Sequence, residues 1–263
     1  MSFIFVTGVI MIEISFIDKE TEVRQNLSNI LNSSREMQEN GKNQLQSSPF
    51  WLARNFSLWY RKPYQWKLKR IIDITATMTG IVLISPILIL LAIAIKLDSK
   101  GPIFFKQKRV GLYGREFYMY KFRSMRSDAE KNLEMLAKFN ETNDIMFKMT
   151  EDPRITRVGK FIRKFSLDEL PQLFNVIKGE MSLVGPRPPI MREVERYDKW
   201  HYLKFATLPG LTGMWQVSGR SKIKEFDYVI KLDYRYIDNW DLKLDLWLLL
   251  KTIPVVIMAK RAS

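Results

Sequence analysis

The chain has 263 residues, 46% of them hydrophobic, which is enough for one sizeable core with appended segments. Its 42 Lys and Arg outnumber its 28 Asp and Glu, and the net charge of +14 favours an anionic partner: nucleic acid, an acidic lipid surface or a phosphorylated substrate. The absence of cysteine excludes disulfides, thiolate nucleophiles and cysteine metal sites, and the single histidine, His201, excludes a histidine-pair metal site. If the chain is an enzyme, we therefore expect a carboxylate, hydroxyl or lysine nucleophile.

Residues 1–48 are expected to form a partly disordered N-terminal extension. The opening residues, MSFIFVTGVIMI, are apolar but lack a basic leading region and are too short to span a bilayer, so they make a poor signal peptide. Residues Thr21 to Ser48 are rich in Asn, Gln, Ser and Glu. Such a composition buries too little apolar surface to offset the entropy of ordering, which indicates a linker or a loose helix.

Residues 49–66 are interpreted as an interfacial segment, because aromatic rings beside cations are typical of the headgroup zone of a bilayer. The aromatic residues are Phe50, Trp51, Phe56, Trp59, Tyr60, Tyr64 and Trp66, and the cations are Arg54, Arg61 and Lys62. An aromatic core helix is the alternative.

The next segment, Ile71 to Ile95, is apolar apart from Asp73. At about 1.5 Å per residue, a straight helix of this length would cross a hydrocarbon core about 30 Å thick. Pro86, preceded by Ser85, lies near its middle, where proline removes a helical hydrogen bond and predicts a kink.

Basic residues flank this segment on both sides, whereas a spanning helix normally has its basic excess on one side. Those before it are Arg61, Lys62, Lys67, Lys69 and Arg70, and those after it are Lys96, Lys100, Lys106, Lys108 and Arg109. We therefore expect a re-entrant helix over residues 71–95 that bends at Ser85-Pro86, with both ends facing the cytoplasm. A single span and a buried soluble helix are the alternatives.

Residues 67–263 are assigned to one catalytic domain of mixed composition. The apolar runs Ile103–Phe105 and Phe117–Phe122 predict strands, and helical periodicity covers Asp128–Phe139 and Thr156–Phe165. The expected fold is therefore α+β: a membrane-associated, monotopic catalytic domain with one re-entrant Pro-kinked membrane helix and amphipathic interfacial helices.

One such interfacial helix is expected near the C-terminus. Leu242, Leu246, Leu249 and Leu250 lie near one face of a predicted helix, with Trp240 and Trp247 nearby. An apolar face flanked by aromatic rings and followed by a basic terminus fits a helix that lies in the membrane interface.

The most informative stretch is Arg154 to Pro189, which places adjacent carboxylates, Asp168 and Glu169, inside a basic region. It ends in a stiff Gly-Pro-Arg-Pro-Pro segment, residues 185–189. A hard cation takes carboxylate oxygens and arginine forks grip phosphate, so the pattern indicates a magnesium and phosphate site. The arginines of the stretch are Arg154, Arg157, Arg163 and Arg187.

A purely structural role for the carboxylate pair fits the local spacing equally well. Ser166 and Glu169 match a capping box, in which Glu169 only satisfies backbone donors at a helix start. Pro171 weakens that reading because it would remove a hydrogen bond from the second turn. A helix that begins at Pro171 is the alternative, with both acids in the turn before it. In either case the acids lie near a helix N-terminus, where the dipole favours carboxylates and phosphate.

Five segments follow one another from about Lys67 to Met258: KRIIDITATMTGIVLISPI, FFKQKRVGLYGREFYMYKFRSM, DPRITRVGKFIRKFSLDELPQLFNVIKGEMSLVGPRP, LPGLTGMWQVSGR and YIDNWDLKLDLWLLLKTI. Together they resemble the bacterial sugar transferase family, whose members are polyprenyl-phosphate sugar-1-phosphate transferases, also called monotopic phosphoglycosyl transferases. The resemblance implies a location on the cytoplasmic face of the bacterial inner membrane. It also implies a role in capsule, exopolysaccharide or O-antigen synthesis.

The reaction that the resemblance implies has two displacements. An aspartate attacks the sugar-bearing phosphate of a UDP-sugar and UMP leaves, and undecaprenyl phosphate then takes the phosphosugar from the enzyme. The transferred group is expected to be glucose or galactose 1-phosphate. An ionised carboxylate can carry a phosphoryl group without an activating base. Mg²⁺ would offset the repulsion between carboxylate and diphosphate and stabilise the departing UMP.

By position in the motifs, the resemblance makes Asp168 the nucleophile and Glu169 the magnesium ligand, with Arg163 and Arg187 binding phosphate. Weaker expectations of substrate contact are Lys121 and Arg123 in YKFRSM, Arg220 in VSGR and Asp245 in KLDL. Gln107 and Arg109 could instead support the fold, and His201 is expected to be a packing or surface residue.

The rival from another class is a basic, membrane-anchored binding or scaffold protein without enzymatic activity. It explains the positive charge and the apolar segment, but acids within the basic cluster would repel nucleic-acid phosphates, so no nucleic acid is expected as a partner. The expected partners are the UDP-sugar, undecaprenyl phosphate and membrane lipid, and a homo-oligomer is allowed. An ordinary glycosyltransferase is a nearer rival, and it would release UDP rather than UMP.

Overall fold

The computed structural model describes residues 50–126, 129, 152–219, 223 and 225–257. The expected extension over residues 1–48 lies outside the described residues, as does the helix expected over 128–139 apart from Ala129. The chain divides into Met1–Trp51 and Leu52–Ser263, and the elements below belong to the second unit except for Trp51. The domain limits expected at residues 48 and 66 stay predictions.

Helices and strands both occur in the described part of the chain. The helices are α1 (Trp51–Asn55), α2 (Leu58–Arg61), α3 (Pro63–Asp98), α4 (Arg157–Lys164), α5 (Gln172–Lys178), α6 (Met191–Val194), α7 (Met214–Val217), α8 (Phe226–Asp238) and α9 (Leu242–Ile257). The strands are β1 (Phe104–Val110), β2 (Glu116–Phe122), β3 (Ser182–Val184) and β4 (Gly210–Thr212). Short 3₁₀ helices cover Leu112–Gly114, Leu167–Glu169 and Lys199–Ala206. This mixture confirms the expected combination of helix and strand.

Helix α3 is longer than the expected membrane helix. It begins at Pro63, whose fixed φ suits the first turn of a helix, and it continues through Pro86 to Asp98. The hydroxyl of Ser85 donates a 2.8 Å hydrogen bond to the carbonyl of Val82. The helix is thus continuous through the position where the sequence predicts a kink, and the kink and the re-entrant path stay predictions.

The middle of α3 is apolar and exposed. Its large exposed side chains between the two buried ends are Met78, Val82, Leu83, Ile87, Ile89 and Leu90. Among the residues that the structure describes, α3 is the one helix long and apolar enough to cross a membrane, and only 11% of its most apolar window is buried. So little burial argues against the alternative of a soluble core helix.

The N-terminal half of α3 packs on the rest of the folded domain through residues spaced three or four apart, which share one helical face. They are Trp66, Lys69, Asp73 and Thr77. Asp73 accepts a 2.7 Å hydrogen bond from the hydroxyl of Ser182 on β3, and Lys69 donates to the carboxylate of Asp245 on α9. Polar contacts therefore fix this end of the helix.

The C-terminal end of α3 packs on the same domain through apolar contacts. Leu91 and Ile95 form a buried cluster with Phe122 of β2 and Ile162 of α4. Thr77 and Leu91 are separated by about 21 Å of helix at 1.5 Å per residue. The exposed middle of α3 is therefore flanked by two ends that both pack on the same folded unit.

Strands β1 and β2 form an antiparallel hairpin in which Lys106 faces Tyr120 and Phe105 faces Lys121. Asn175 of α5 docks on the outer edge of β2: its side-chain oxygen accepts from the amide of Tyr120 at 3.0 Å, and its amide donates to the carbonyl of Tyr118 at 2.7 Å. The Asn175 side chain thereby satisfies backbone groups that an edge strand leaves unpaired. Helix α5 and the hairpin are consequently held together as one unit.

Helix α4 confirms the helix expected over Thr156–Phe165. Thr156 caps its start by accepting a 2.9 Å hydrogen bond from the amide of Gly159. A Cβ on Gly159 would lie 2.0 Å from the carbonyl oxygen of Ser124, so only glycine allows this approach to the chain that follows β2. The position of α4 beside the hairpin is thus set by local sequence.

Candidate active site

The carboxylate pair lies in a tight turn between α4 and α5. Ser166 has a positive φ of 54°, which ends α4, and the 3₁₀ helix Leu167–Glu169 follows. The Ser166 side chain makes no capping hydrogen bond, so the capping-box hypothesis is wrong. Pro171 stands immediately before α5, close to the alternative of a helix that starts at this proline. The backbone therefore presents Asp168 and Glu169 just before a helix start.

Two cations from distant parts of the chain meet this pair. The Nζ atom of Lys121, near the end of β2, lies 2.9 Å from Glu169 Oε1 and 3.9 Å from Asp168 Oδ2. The Nη1 atom of Arg187 lies 3.7 Å from Glu169 Oε1. Arg163 acts on Asp168 through its charge. The structure therefore brings together both predicted acids with Lys121, Arg163 and Arg187.

Asp168 is buried, and burial raises the pKa of its carboxyl above the ordinary value. The positive charges of Lys121 and Arg163 lower this pKa, whereas the charge of Glu169 raises it. Because the net direction is upward, the cost of desolvating the carboxylate exceeds the attraction of the nearby cations. Such a perturbed carboxyl among cations is typical of a functional site.

The Gly-Pro-Arg-Pro-Pro segment that carries Arg187 begins in tight contact with β4 and with the residues on either side of that strand. A Cβ on Gly185 would lie 2.3 Å from the carbonyl oxygen of Leu208, and one on Gly213 would lie 2.2 Å from the carbonyl oxygen of Gly185. The amide of Gly185 donates a 2.9 Å hydrogen bond to Thr212. Backbone contact without intervening side chains therefore fixes the start of the segment.

Arg187 also contacts an aromatic ring that the sequence analysis did not single out. Its guanidinium carbon lies 5.9 Å from the centre of the Trp215 ring, within the range of a cation–π contact. Trp215 belongs to the MWQVSGR motif, but its separation from Arg187 along the sequence does not predict this contact. Only the parallel pairing of β3 with β4 brings the two residues together.

Two other predicted residues contact the fold rather than the carboxylate pair. Arg123 is buried and donates to the carbonyl and hydroxyl oxygens of Ser99, at 2.6 and 2.9 Å, just past the end of α3. Asp245 accepts hydrogen bonds from Lys69 and, at 2.8 Å, from the hydroxyl of Tyr236. Arg220 lies outside the described residues. Their expected contacts with substrate stay predictions.

The expected magnesium ion would need ligands from the carboxylate pair. Asp168 and Glu169 offer adjacent carboxylates, while in the described ranges no cluster of three or more His, Cys, Asp or Glu could enclose a metal. Mg²⁺ is commonly held by one or two carboxylates, together with waters and the phosphates of a substrate. The residues therefore fit this ion.

Comparison with known proteins gives the same grouping as the motifs. The chain is 43% identical over 223 residues to a galactosyl transferase, CpsE, of Streptococcus agalactiae, which covers 85% of this chain and 49% of that protein. It is 38% identical over 221 residues to the exopolysaccharide production protein ExoY of Rhizobium meliloti, covering 81% and 95% of the two chains. It is 46% identical over 197 residues to an undecaprenyl-phosphate galactose phosphotransferase of Salmonella typhimurium, covering 72% and 40%.

The chain thus spans half or less of the streptococcal and Salmonella proteins and nearly all of the Rhizobium protein. The sequence profile of the family described as bacterial sugar transferase matches residues 64–259, which include α3, the hairpin and the carboxylate pair. The chain therefore belongs to the bacterial sugar transferase family.

Proposed function

We propose that this protein transfers a hexose 1-phosphate from a UDP-sugar to undecaprenyl phosphate and releases UMP. The observation that carries the proposal is the position of Asp168, a buried carboxylate near Lys121 and Arg163 and beside Glu169, which Arg187 approaches. Cations of this kind bind a diphosphate, and a carboxylate among them can reach its phosphorus.

In the first step an oxygen of Asp168 attacks the sugar-bearing phosphorus of the UDP-sugar. A new bond forms between that oxygen and phosphorus, the bond from phosphorus to the bridging oxygen breaks, and UMP leaves with the electron pair. In the second step an oxygen of undecaprenyl phosphate attacks the same phosphorus, and Asp168 leaves as a carboxylate. The product is an undecaprenyl diphosphate sugar.

The cations have separate tasks in this proposal. Lys121 and Arg187 both approach Oε1 of Glu169, and in this proposal they bind the phosphate oxygens of the donor. Arg163 lowers the pKa of Asp168 and so favours the ionised, nucleophilic form. Glu169 would hold Mg²⁺, which supplies positive charge that offsets the repulsion between the carboxylate and the diphosphate.

The exposed apolar middle of α3 supports a membrane location for the lipid acceptor. Because both ends of that segment pack on one folded unit, we propose that both lie on the cytoplasmic face of the membrane. The chain contains no cysteine, so single cysteines at the exposed positions Lys67 and Lys100 can be labelled selectively in sealed vesicles. Accessibility from one side supports the re-entrant path, and accessibility from opposite sides establishes a single span.

Galactose is the sugar that we propose to test first, because the names of the streptococcal and Salmonella relatives specify it. The Rhizobium relative is named for exopolysaccharide production, which supports a role in making a surface polysaccharide. UDP-glucose and N-acetylated UDP-sugars complete the panel of donors.

The deciding experiment measures UMP from UDP-galactose, undecaprenyl phosphate and Mg²⁺ with the full chain in detergent. Wild type should release UMP, and Asp168→Asn should release none while keeping its fold. Asp238→Asn, which changes an exposed ion pair with Arg61, is the matched control and should behave as wild type.

Without the lipid acceptor, wild type should gain the mass of one hexose phosphate and Asp168→Asn should not. UDP as the product would instead indicate an ordinary glycosyltransferase. A folded wild-type protein that releases neither nucleotide would favour the non-enzymatic scaffold.

A further inference from the structure

Arg109, the penultimate residue of β1, holds the segment that carries Arg187. Its Nη1 atom donates a 2.9 Å hydrogen bond to the carbonyl of Pro188, the residue that follows Arg187. One residue further along each chain, the amide of Val110 donates a 2.9 Å hydrogen bond to the carbonyl of Pro189. The hairpin therefore holds the end of the Pro-Arg-Pro-Pro segment, whereas the glycine contacts hold its start.

The guanidinium of Arg109 is itself held rigidly from within the strand. Its Nε and Nη2 atoms donate to the side-chain oxygen of Gln107 at 3.1 and 2.6 Å. Gln107 and Arg109 lie on the same face of β1 because side chains alternate along a strand. Gln107 therefore sets the direction in which Arg109 points, toward Pro188.

Arg109 carries a buried charge that its hydrogen-bond partners do not neutralise. Only 7% of the residue is exposed, and all its hydrogen-bond acceptors are neutral oxygens. Within the described part of the chain no carboxylate comes within ion-pairing distance of it. Burial and the nearby charge of Arg187 lower the pKa of Arg109 to about 10, although the charges of Glu193 and Glu169 raise it, and the group is still protonated at neutral pH.

Packing alone does not require such a residue. Burying an ion costs free energy that a neutral side chain of similar length would not incur. A second guanidinium near Arg187 adds to that cost, because like charges repel. An anion bound at Arg187 would offset the repulsion between the two guanidinium groups, since it would attract both of them.

We propose that Arg109 is a positioning residue for the phosphate site: it fixes the backbone beside Arg187 and contributes positive charge to the place where the donor diphosphate binds. This inference rests on the proposed function, in which Arg187 binds phosphate. It gives residues 107–109 of the hairpin, for which the motifs implied no definite role, a part in recognising the nucleotide diphosphate.

A double-mutant cycle between Arg109→Met and Arg187→Met tests whether Arg109 acts through Arg187. Arg109→Met should lower kcat/KM for UMP release about tenfold when Arg187 is present and less than about twofold when Arg187 is already methionine. A merely structural role would give the same fold loss in both backgrounds, and that result would overturn the proposal. So would an unchanged kcat/KM in the single Arg109→Met variant.

Lys108→Met is the matched control. Lys108 precedes Arg109 on the opposite face of β1, where it is exposed and pairs with Glu116 at 2.6 Å. The substitution removes the same charge and should leave kcat/KM as in wild type. If Arg109→Met does not fold, the cycle is repeated with Arg109→Lys, which keeps a cation but cannot bind Pro188 and Gln107 together.

Calorimetric binding of UDP to the detergent-solubilised protein separates this proposal from the proposed function. The dissociation constant should rise about tenfold in Arg109→Met and stay unchanged in Lys108→Met, whether or not the wild type turns over. A wild type that binds UDP but releases no UMP would contradict the proposed reaction and leave this result standing. Equal UDP affinity in wild type and Arg109→Met would reject the role of Arg109.

Discussion

The Nζ atom of Lys121 lies 2.9 Å from Oε1 of Glu169 and 3.9 Å from Oδ2 of Asp168, so one cation bridges the two acids. Its side chain is 16% exposed, and those of the acids are similarly shielded. At this depth an ion pair is screened less by solvent than on the surface. Lys121 reaches the pair from β2, whose position against α5 is set by Asn175.

Replacing Lys121 with methionine should lower kcat/KM for UMP release by about a hundredfold, because it removes a cation aimed at the donor phosphates. Initial rates over a range of UDP-galactose concentrations measure the effect. Lys106→Met is the control, since Lys106 lies on the exposed face of the hairpin with its Nζ atom 5.6 Å from the centre of the Tyr120 ring. Equal losses in both variants would show a general effect of charge rather than a role in the site.

Asp245→Asn should destabilise the protein by about 2–3 kcal/mol, because it removes the nearer carboxylate partner of the buried Lys69 and leaves only Asp73, 3.9 Å away. Thermal or denaturant unfolding measures this loss. The exposed pair of Arg61 with Asp238 gives the comparison: Asp238→Asn should cost less than about 1 kcal/mol. If Asp245→Asn instead keeps full stability and loses affinity for UDP-galactose, Asp245 contacts the substrate as its motif implies.

Gly185→Ala should lower both stability and activity, since its Cβ would lie 2.3 Å from the backbone oxygen of Leu208 and would push the Arg187 segment away. Gly80→Ala is the matched control, because a Cβ there meets nothing within 4 Å and Gly80 lies inside a helix. Alanine should be neutral or slightly stabilising at that position. Melting temperature and kcat/KM are measured for both variants, and equal behaviour would contradict the close packing described for Gly185.

The contribution of His201 to stability should fall as the pH falls from about 7.5 to about 5.5. Burial lowers the pKa of His201 below its ordinary value, although the charge of Asp227 raises it. The neutral ring accepts a 2.9 Å hydrogen bond from the amide of Asp198 through Nδ1, which protonation would abolish. Its contribution is therefore present above the pKa of the unfolded chain, about 6.5, and is lost as the pH falls through the lower value in the folded protein.

The variant His201→Gln isolates this contribution, because the chain contains no other histidine. The difference in melting temperature between wild type and this variant should shrink as the pH is lowered over the same range. Identical slopes for the two proteins would assign the pH dependence to other groups.

The sequence predicted the location of the acids well because the information was local. Asp168, Glu169 and Pro171 lie within one turn, and the cation-rich motifs around them were readable. Arg123 was harder to place because β2 ends at Phe122. The Arg123 side chain therefore does not follow the alternation of side chains along β2 that directs Lys121 toward the acids. It bonds to Ser99 instead.

Contacts between distant segments explain most of what the sequence did not predict. Trp215 beside Arg187 and Lys69 beside Asp245 arise from packing of separate elements, which no spacing rule describes. The start of α3 was predictable in principle, because Pro63 is a common first residue of a helix.

The polar contacts of α3 couple the position of this helix to the stability of the domain. Withdrawing the apolar segment from lipid would pull on Lys69 and Asp73, whose partners Asp245 and Ser182 lie in α9 and β3. Strand β3 leads directly into the segment that carries Arg187. Detachment of α3 from the domain and loosening of the phosphate site would therefore be one cooperative event, so a detergent preserves activity only if it leaves these polar contacts intact.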